Sequence, residues 1–563
     1  MIHRMVLGRA GVPIVTLGCL AIFTLVTAAA PQQTPAASGV AAVLIPPAPP
    51  TVIGPVRNTT LLKDPMHGYP FNSTPMDLKK AGYVEEEYFL EGKANRFLTS
   101  ATANASPYDG GYPYMTRIVV RRPASASKFN GTVIVEWTNV SQGHDHEADW
   151  FQAAEYFLQN GYAWVGVSAQ AVGVQALTQW SPSRYGLLNV SVTTPAGGGG
   201  RGGATPAPSR GAITSGPRVT TVALIQAAPA GTAGAGRGAV QGGARGAGTP
   251  SPLSFDIFTQ AGLAVRGKSS VSVMGGMRID RVIATGHSQS AGQLGIYFNS
   301  VHPLSPVYDA VVLHGGGGKM RSDLNVKIFK ILSETDLFGL PGEAANRQAD
   351  TEKFRAWEVA GASHLDAQNS RGLAGVGLLV AGATPVDGPD SIKAPTISGG
   401  GAGIGTANVL SGVTNDGCSK PPLSRIPFRY VLVSVYDHLV EWVRDGKAPP
   451  LALPIETANN AIVRDADGNA KGGIQLSQYS VPTAVNRGDN TQAAGATAGQ
   501  FCMLLGSYEP FDNAKLNKLY PLHDVYVKAV KEATDKNLKA GYILKPDADA
   551  TVSEANKSAI GKK

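Results

Sequence analysis

Hydrophobic and polar positions along the chain change their period repeatedly, and each change marks an element. Tyr83–Leu90 alternates and Tyr114–Arg121 (YMTRIVVR) is rich in β-branched residues, so both predict strands. Thr132–Trp137 (TVIVEW) lacks regular polar alternation, the pattern of a strand buried on both faces. Asp149–Asn160 (DWFQAAEYFLQN) has helical spacing and stops at Gly161, with Asp149 as the expected N-cap. Tyr162–Ala169 (YAWVGVSA) predicts the next strand. Further on, the periods predict helices at Phe255–Val265, Ala291–Val301, Arg429–Trp442 and Tyr520–Leu538. They predict strands at Arg281–Thr285, Val307–Leu313, Val326–Leu332 and Arg355–Val359. Strands alternating with helices imply an α/β fold, a mainly parallel sheet covered on both faces.

Five segments fall outside this pattern. Residues 1–30 have a basic start (His3, Arg4, Arg9), an apolar run from Ala10 to Val26 and small residues before Pro31. That is a secretory signal peptide with a cleavage site after Ala30; the alternative is an uncleaved membrane anchor. Residues 31–55, rich in Pro and Ala, read as a disordered leader to a folded domain spanning 56–545. Within that domain, 189–250 reads as a low-complexity insertion and 371–417 as a Gly-rich loop. Residues 546–563 read as a frayed tail.

Composition alters this picture in two places. The chain carries a net charge of +8, but 191–250 contains five Arg and no Asp or Glu, and Arg4 and Arg9 lie in the signal. The basic excess thus belongs to the appendages, and without interleaved aromatic residues the insertion gives no reason to expect a nucleic-acid partner. Beyond the signal only Cys418 and Cys502 remain, an even pair that in an exported chain predicts one disulfide.

The candidate chemistry centres on Arg281–Gly292 (RVIATGHSQSAG), a hydrophobic strand running through Gly-x-Ser-x-Ser into a helical stretch. This is the context of a nucleophile elbow with Ser288 at its tip. Gly286 and Ser290 are small, as close strand–helix approach requires, and the backbone N–H of Gln289 is a candidate oxyanion donor. A serine nucleophile needs a histidine base and an orienting acid, in the chain order Ser, acid, His. His364 follows strand Arg355–Val359 through a short loop and fits the base; His302, His314, His438 and His523 fit less well. Strand Val326–Leu332 ends in Ser333-Glu334-Thr335-Asp336, so the acid is Asp336 or, alternatively, Glu334. The loop after Thr132–Trp137 should supply the second oxyanion donor, from Asn139 or Val140. His144-Asp145-His146-Glu147 resembles a metal cluster, but H-x-H on a loop supplies two ligands where zinc needs three or four. It reads as a polar loop at the rim of the site, and neither metal nor cofactor is expected.

Ordered blocks along residues 80–545 resemble a known family. They include YPYMTRIVVRRPAS (112–125), FNGTVIVEWTNVS (129–141), GYAWVGVSAQAVGV (161–174), GHSQSAGQLGIYFNSVHPL (286–304), SETD (333–336) and WEVAGASHLD (357–366). The chain resembles the secreted bacterial α/β-hydrolase-domain family whose elbow reads roughly G-Q-S-Q-S-A. The resemblance implies an α/β-hydrolase fold and a triad of Ser288, His364 and Asp336 or Glu334. Two departures stand out: His287 replaces the expected Gln, and 189–250 interrupts a region that is usually compact. The expectation is an exported serine hydrolase of small-molecule or polymeric carboxylic esters, in the secreted or periplasmic compartment. Amide, thioester or polyester cleavage by the same triad is the alternative, as is a non-catalytic binding protein on this fold.

Overall fold

The computed structural model describes residues 47–61, 64, 66–74, 76–192, 251–339, 342–366, 417–496 and 502–562. The signal segment, most of the leader, 193–250 and 371–416 lie outside the described residues. No helix among the described residues is long and apolar enough to cross a membrane.

The central element is a nine-stranded sheet ordered β1-β2-β3-β5-β4-β6-β7-β8-β9. Its strands are β1 (Thr51–Ile53), β2 (Tyr83–Leu98), β3 (Ser106–Pro123), β4 (Thr132–Trp137), β5 (Ala163–Val167), β6 (Arg281–His287), β7 (Ala310–His314), β8 (Lys327–Ser333) and β9 (Phe354–Val359). Pairing is antiparallel from β1 to β5 and parallel from β5 to β9. β4 shows why the central runs lack polar alternation. Val133, Val135 and Trp137 enter the core on one face of the sheet, and Ile134 enters the core on the other.

Helices cover both faces. On one side pack α3 (Ser254–Val265) and α4 (Gln289–Ile296), the latter continuing as a π-helical turn through Val301. On the other pack α1 (Ala148–Gln159) and α5 (Phe428–Asp445). α2 (Ala171–Trp180) follows β5. The chain ends in α6 (His523–Lys539) and α7 (Lys545–Lys557).

Several expectations need correction. The tail is not frayed: α7 occupies Lys545–Lys557, and Ala555 and Ile560 pack with Tyr520, Tyr526 and Val530. The leader ends earlier than 55, because Thr51–Ile53 pairs with β2 at the sheet edge. The folded part also extends into the insertion as first bounded. Asn189 exchanges backbone hydrogen bonds with Met115, 2.8 Å each, and Val190 is 1% exposed. Asp149 is not an N-cap; the helix starts at Ala148, and Asp149 lies buried in its first turn.

The predicted disulfide joins Cys418 to Cys502 across a sequence separation of 84. It packs with Leu505, Leu365 and Leu423, and the N–H of Leu365 donates to Leu504 O at 2.9 Å. The cystine therefore braces the segment that carries His364.

Two outcomes are expected. The Ser251 hydroxyl donates to Val190 O at 3.0 Å, so the chain leaves and re-enters the fold at nearly one point. Replacing 193–250 by a short Gly-Ser linker should leave the circular dichroism spectrum and cooperative melt intact; loss of the melt would overturn this reading. Cys418→Ala/Cys502→Ala should destabilise the fold by roughly 4–5 kcal/mol on loop-entropy grounds, read by denaturant unfolding under non-reducing conditions. An unchanged midpoint would contradict it.

Candidate active site

Parallel pairing brings the C-terminal ends of β4, β6, β8 and β9 to one edge of the sheet, where ligands of such folds bind. The loops leaving this edge carry Asn139 and Val140, Ser288, Asp336, and His364 respectively.

Ser288 joins β6 to α4 with φ 61° and ψ −118°. A residue with a side chain seldom holds a positive φ, and doing so costs about 1–3 kcal/mol. The turn is held by its neighbours. Ser288 N–H donates to His314 O on β7 at 2.9 Å, and Gly292 N–H donates to Ser288 O at 3.1 Å. A Cβ on Gly286 would meet the Ser290 Cβ and Leu294 Cδ1 at 3.0 Å, so the elbow has no room for a larger residue there. Gln289 opens α4, where the first backbone N–H groups have no intrahelical acceptor.

The acid and the base meet directly. His364 Nδ1 lies 2.5 Å from Asp336 Oδ1, and both side chains are buried. The second Asp336 oxygen accepts from the Ser333 N–H at 2.6 Å and its hydroxyl at 2.8 Å. The His364 N–H donates to Thr335 Oγ1 at 3.2 Å, which fixes the backbone beside the ring. Glu334, the alternative acid, faces away. One of its oxygens accepts from Gly361 N–H at 2.7 Å and the other pairs with Arg464 at 2.7 Å. It ties the loops together, and Asp336 is the carboxylate on the imidazole.

The loop after β4 corrects one donor and leaves the other open. Asn139 N–H is bonded to His146 O at 3.0 Å, so this backbone donor is already used. The Asn139 side-chain amide instead donates to His287 O at 2.9 Å, linking the loop to the elbow. Val140 N–H makes no hydrogen bond among the described residues, and its carbonyl accepts from Gly143 N–H at 3.0 Å.

The His-Asp-His-Glu run anchors this loop. Asp145 accepts from the hydroxyls of Thr138 at 2.9 Å and Ser168 at 2.5 Å and pairs with Arg117 at 3.5 Å. Glu147 pairs with Arg121 at 2.5 Å. The Arg121 guanidinium also bonds Glu85 at 2.7 Å and lies over the rings of Trp150 and Trp164. Both arginines are buried, and such charges are tolerated only when paired and hydrogen-bonded. No group of three or more candidate metal ligands occurs among the described residues.

Residues that the periodicity did not single out complete the surroundings. The His287 ring lies between His314 and His364, with centroids 4.3 Å and 4.4 Å away. His314 Nδ1 in turn contacts Asp149 Oδ1 at 3.1 Å, and Asp149 accepts from the Tyr436 hydroxyl at 3.0 Å. Gly315, at φ +65°, leaves space for these rings: a Cβ there would sit 3.2 Å from two His364 ring atoms. The sequence offered a signal in His287 beside Ser288, but nothing in it pointed to His314 as a stacking partner.

Burial holds the His287 imidazole well below its ordinary 6.5, and the nearby His314, His364 and His146 add to the effect. The unfolded chain therefore takes up a proton there that the folded chain refuses. The associated stability is present above about pH 6.5 and is lost as pH falls below it. His287→Gln removes this titration, so acid unfolding followed by tryptophan fluorescence should move to lower pH. An unchanged or raised midpoint would show that His287 is not the sensitive group.

Among solved structures the chain is similar to a lidless α/β serine hydrolase from Xanthomonas campestris, at 11% identity and a TM-score of 0.25, covering 52% of this chain and 97% of that one. It is also similar to an acetyl xylan esterase from a Thermoanaerobacterium species, at 12% identity and a TM-score of 0.23, covering 49% and 76%. A glucuronoyl esterase from Teredinibacter turnerae matches at 10% identity and a TM-score of 0.22, covering 53% and 74%. No curated protein matches. Residues 52–553 match the family described as alpha/beta hydrolase domain, and the chain belongs to that family.

Proposed function

We propose that this chain is an exported serine hydrolase that cleaves carboxylic esters through an acyl-enzyme. One observation carries the reading: a serine in left-handed backbone geometry sits at the same sheet edge as a buried His364–Asp336 pair. A hydroxyl of ordinary acidity is a weak nucleophile, and a histidine base with an oriented second nitrogen is the common way to activate it.

In this reading the Ser288 hydroxyl attacks the ester carbonyl while His364 Nε2 takes its proton. Asp336, acceptor of the Nδ1 proton, stabilises the imidazolium that forms. The developing oxyanion takes hydrogen bonds from Gln289 N–H and Val140 N–H. Collapse expels the alcohol, protonated by His364, and water then repeats the sequence to release the acid. These steps use side chains and backbone alone, so no metal or organic cofactor is required. Small-molecule and polymeric esters both fit this chemistry. Export follows from the signal-like residues 1–30 and is consistent with the cystine, since disulfides persist in oxidising compartments.

Fluorophosphonate labelling tests the nucleophile. The wild-type protein should be labelled and Ser288→Ala should not; an unlabelled but folded wild type would sink the proposal. With p-nitrophenyl acetate, His364→Ala and Asp336→Asn should each lose about 10³–10⁴-fold in kcat. Glu334→Gln should stay within about tenfold of wild type. A larger loss for Glu334→Gln than for Asp336→Asn would transfer the acid role to Glu334.

A further inference from the structure

Gln170 lies just past the end of β5, at the N-cap position of α2, yet its side chain makes no capping bond. It is 3% exposed, so its amide must find partners inside the protein. It finds them on the two segments that flank Ser288. Gln289 Nε2 donates to Gln170 Oε1 at 2.7 Å, and Gln170 Nε2 donates back to Gln289 Oε1 at 3.1 Å. The two amides form a closed reciprocal pair. The same Gln170 Nε2 lies 3.4 Å from Thr138 O, at the root of the loop that carries Val140.

One side chain therefore touches the residue after the nucleophile and the start of the β4 loop. On the proposed hydrolase reading, which this inference rests on, those segments provide the two oxyanion donors, Gln289 N–H and Val140 N–H. Such donors work only when held about 2.7–3.1 Å from the position the oxyanion will take. They act on charge that develops in the transition state, so their misplacement affects turnover more than substrate binding. Gln289 is one residue from a strained turn; its peptide is held at the Ser288 carbonyl by Gly292 N–H at 3.1 Å, and the amide pair adds a second restraint through the side chain. A reciprocal amide pair fixes it more firmly than a single bond, because each partner limits the rotation of the other.

We infer that Gln170 is a positioning residue: its amide pair with Gln289 and its reach to Thr138 hold the two halves of the oxyanion hole in register. It touches no substrate and acts through the backbone donors.

The test is a double-mutant cycle on the full chain with p-nitrophenyl acetate. Gln170→Met and Gln289→Met keep side-chain bulk while removing the hydrogen bonds. Each should lower kcat about 10- to 100-fold with KM within about threefold. The double variant should be no worse than the worse single, because the amides act as one unit. Thermal melts check that the variants fold; should Gln170→Met fail to fold, Gln170→Glu, which can accept but not donate in its ionised form, replaces it in the cycle. An unchanged kcat, a loss carried by KM, or additive losses would overturn the inference. Fluorophosphonate labelling of the wild type separates the two ideas: labelling with an additive cycle defeats the positioning role alone, and absent labelling defeats the hydrolase reading itself.

Discussion

Ser288 can keep its left-handed backbone only because β6 has no freedom to relax. The strand is paired in parallel on both sides, with β4 and with β7, and both of its faces are packed. A strained residue persists when its surroundings over-determine it, and here the strain falls at the one point where the strand must turn sharply into a helix. The bond from Ser288 N–H to His314 O holds the turn against the neighbouring strand. The rest of the site is arranged relative to that fixed point.

Around it, two kinds of interaction divide the work. Close hydrogen bonds set the orientation of individual groups, as the Ser333 donors do for Asp336 and Asn139 does for the elbow. Buried ion pairs hold whole segments. Arg117 and Arg121 come from β3, and their partners Asp145 and Glu147 come from the loop after β4. Arg117 also pairs with Glu87, and Arg184 reaches Glu87 from the far side of the same cluster. Removing one partner from such a cluster leaves a buried charge unmatched, so the loop is held by the cost of letting go as much as by attraction.

Much of this was legible in the sequence, and the exceptions share a cause. The order of strands and helices follows from periodicity because the strands from β2 to β9 pack against both cores. The strand–turn–helix around Ser288 and the strand before His364 are legible because they are local features. Spacing alone leaves both Glu334 and Asp336 open, and only the course of the loop shows Asp336 beside the His364 ring and Glu334 turned toward Arg464. Asn139 failed as a donor because His146, seven residues later, folds back to take its N–H. The last helix is not legible in the sequence because the side chains it buries are Asp547, Ala548, Thr551 and Ala555, which lack an apolar stripe. Each miss concerns a contact between residues distant in the chain or a burial that polarity does not announce.

The bond between Ser251 and Val190 has a consequence for chain length. With Val190 and Ser251 held together by the fold, the entropic cost of any flexible linker joined between them grows only with the logarithm of its length. Doubling such a linker costs about 0.6 kcal/mol. The position is thus a port at which length is almost free, and a further module carried there would reach solvent without stretching the sheet that holds Ser288 in place.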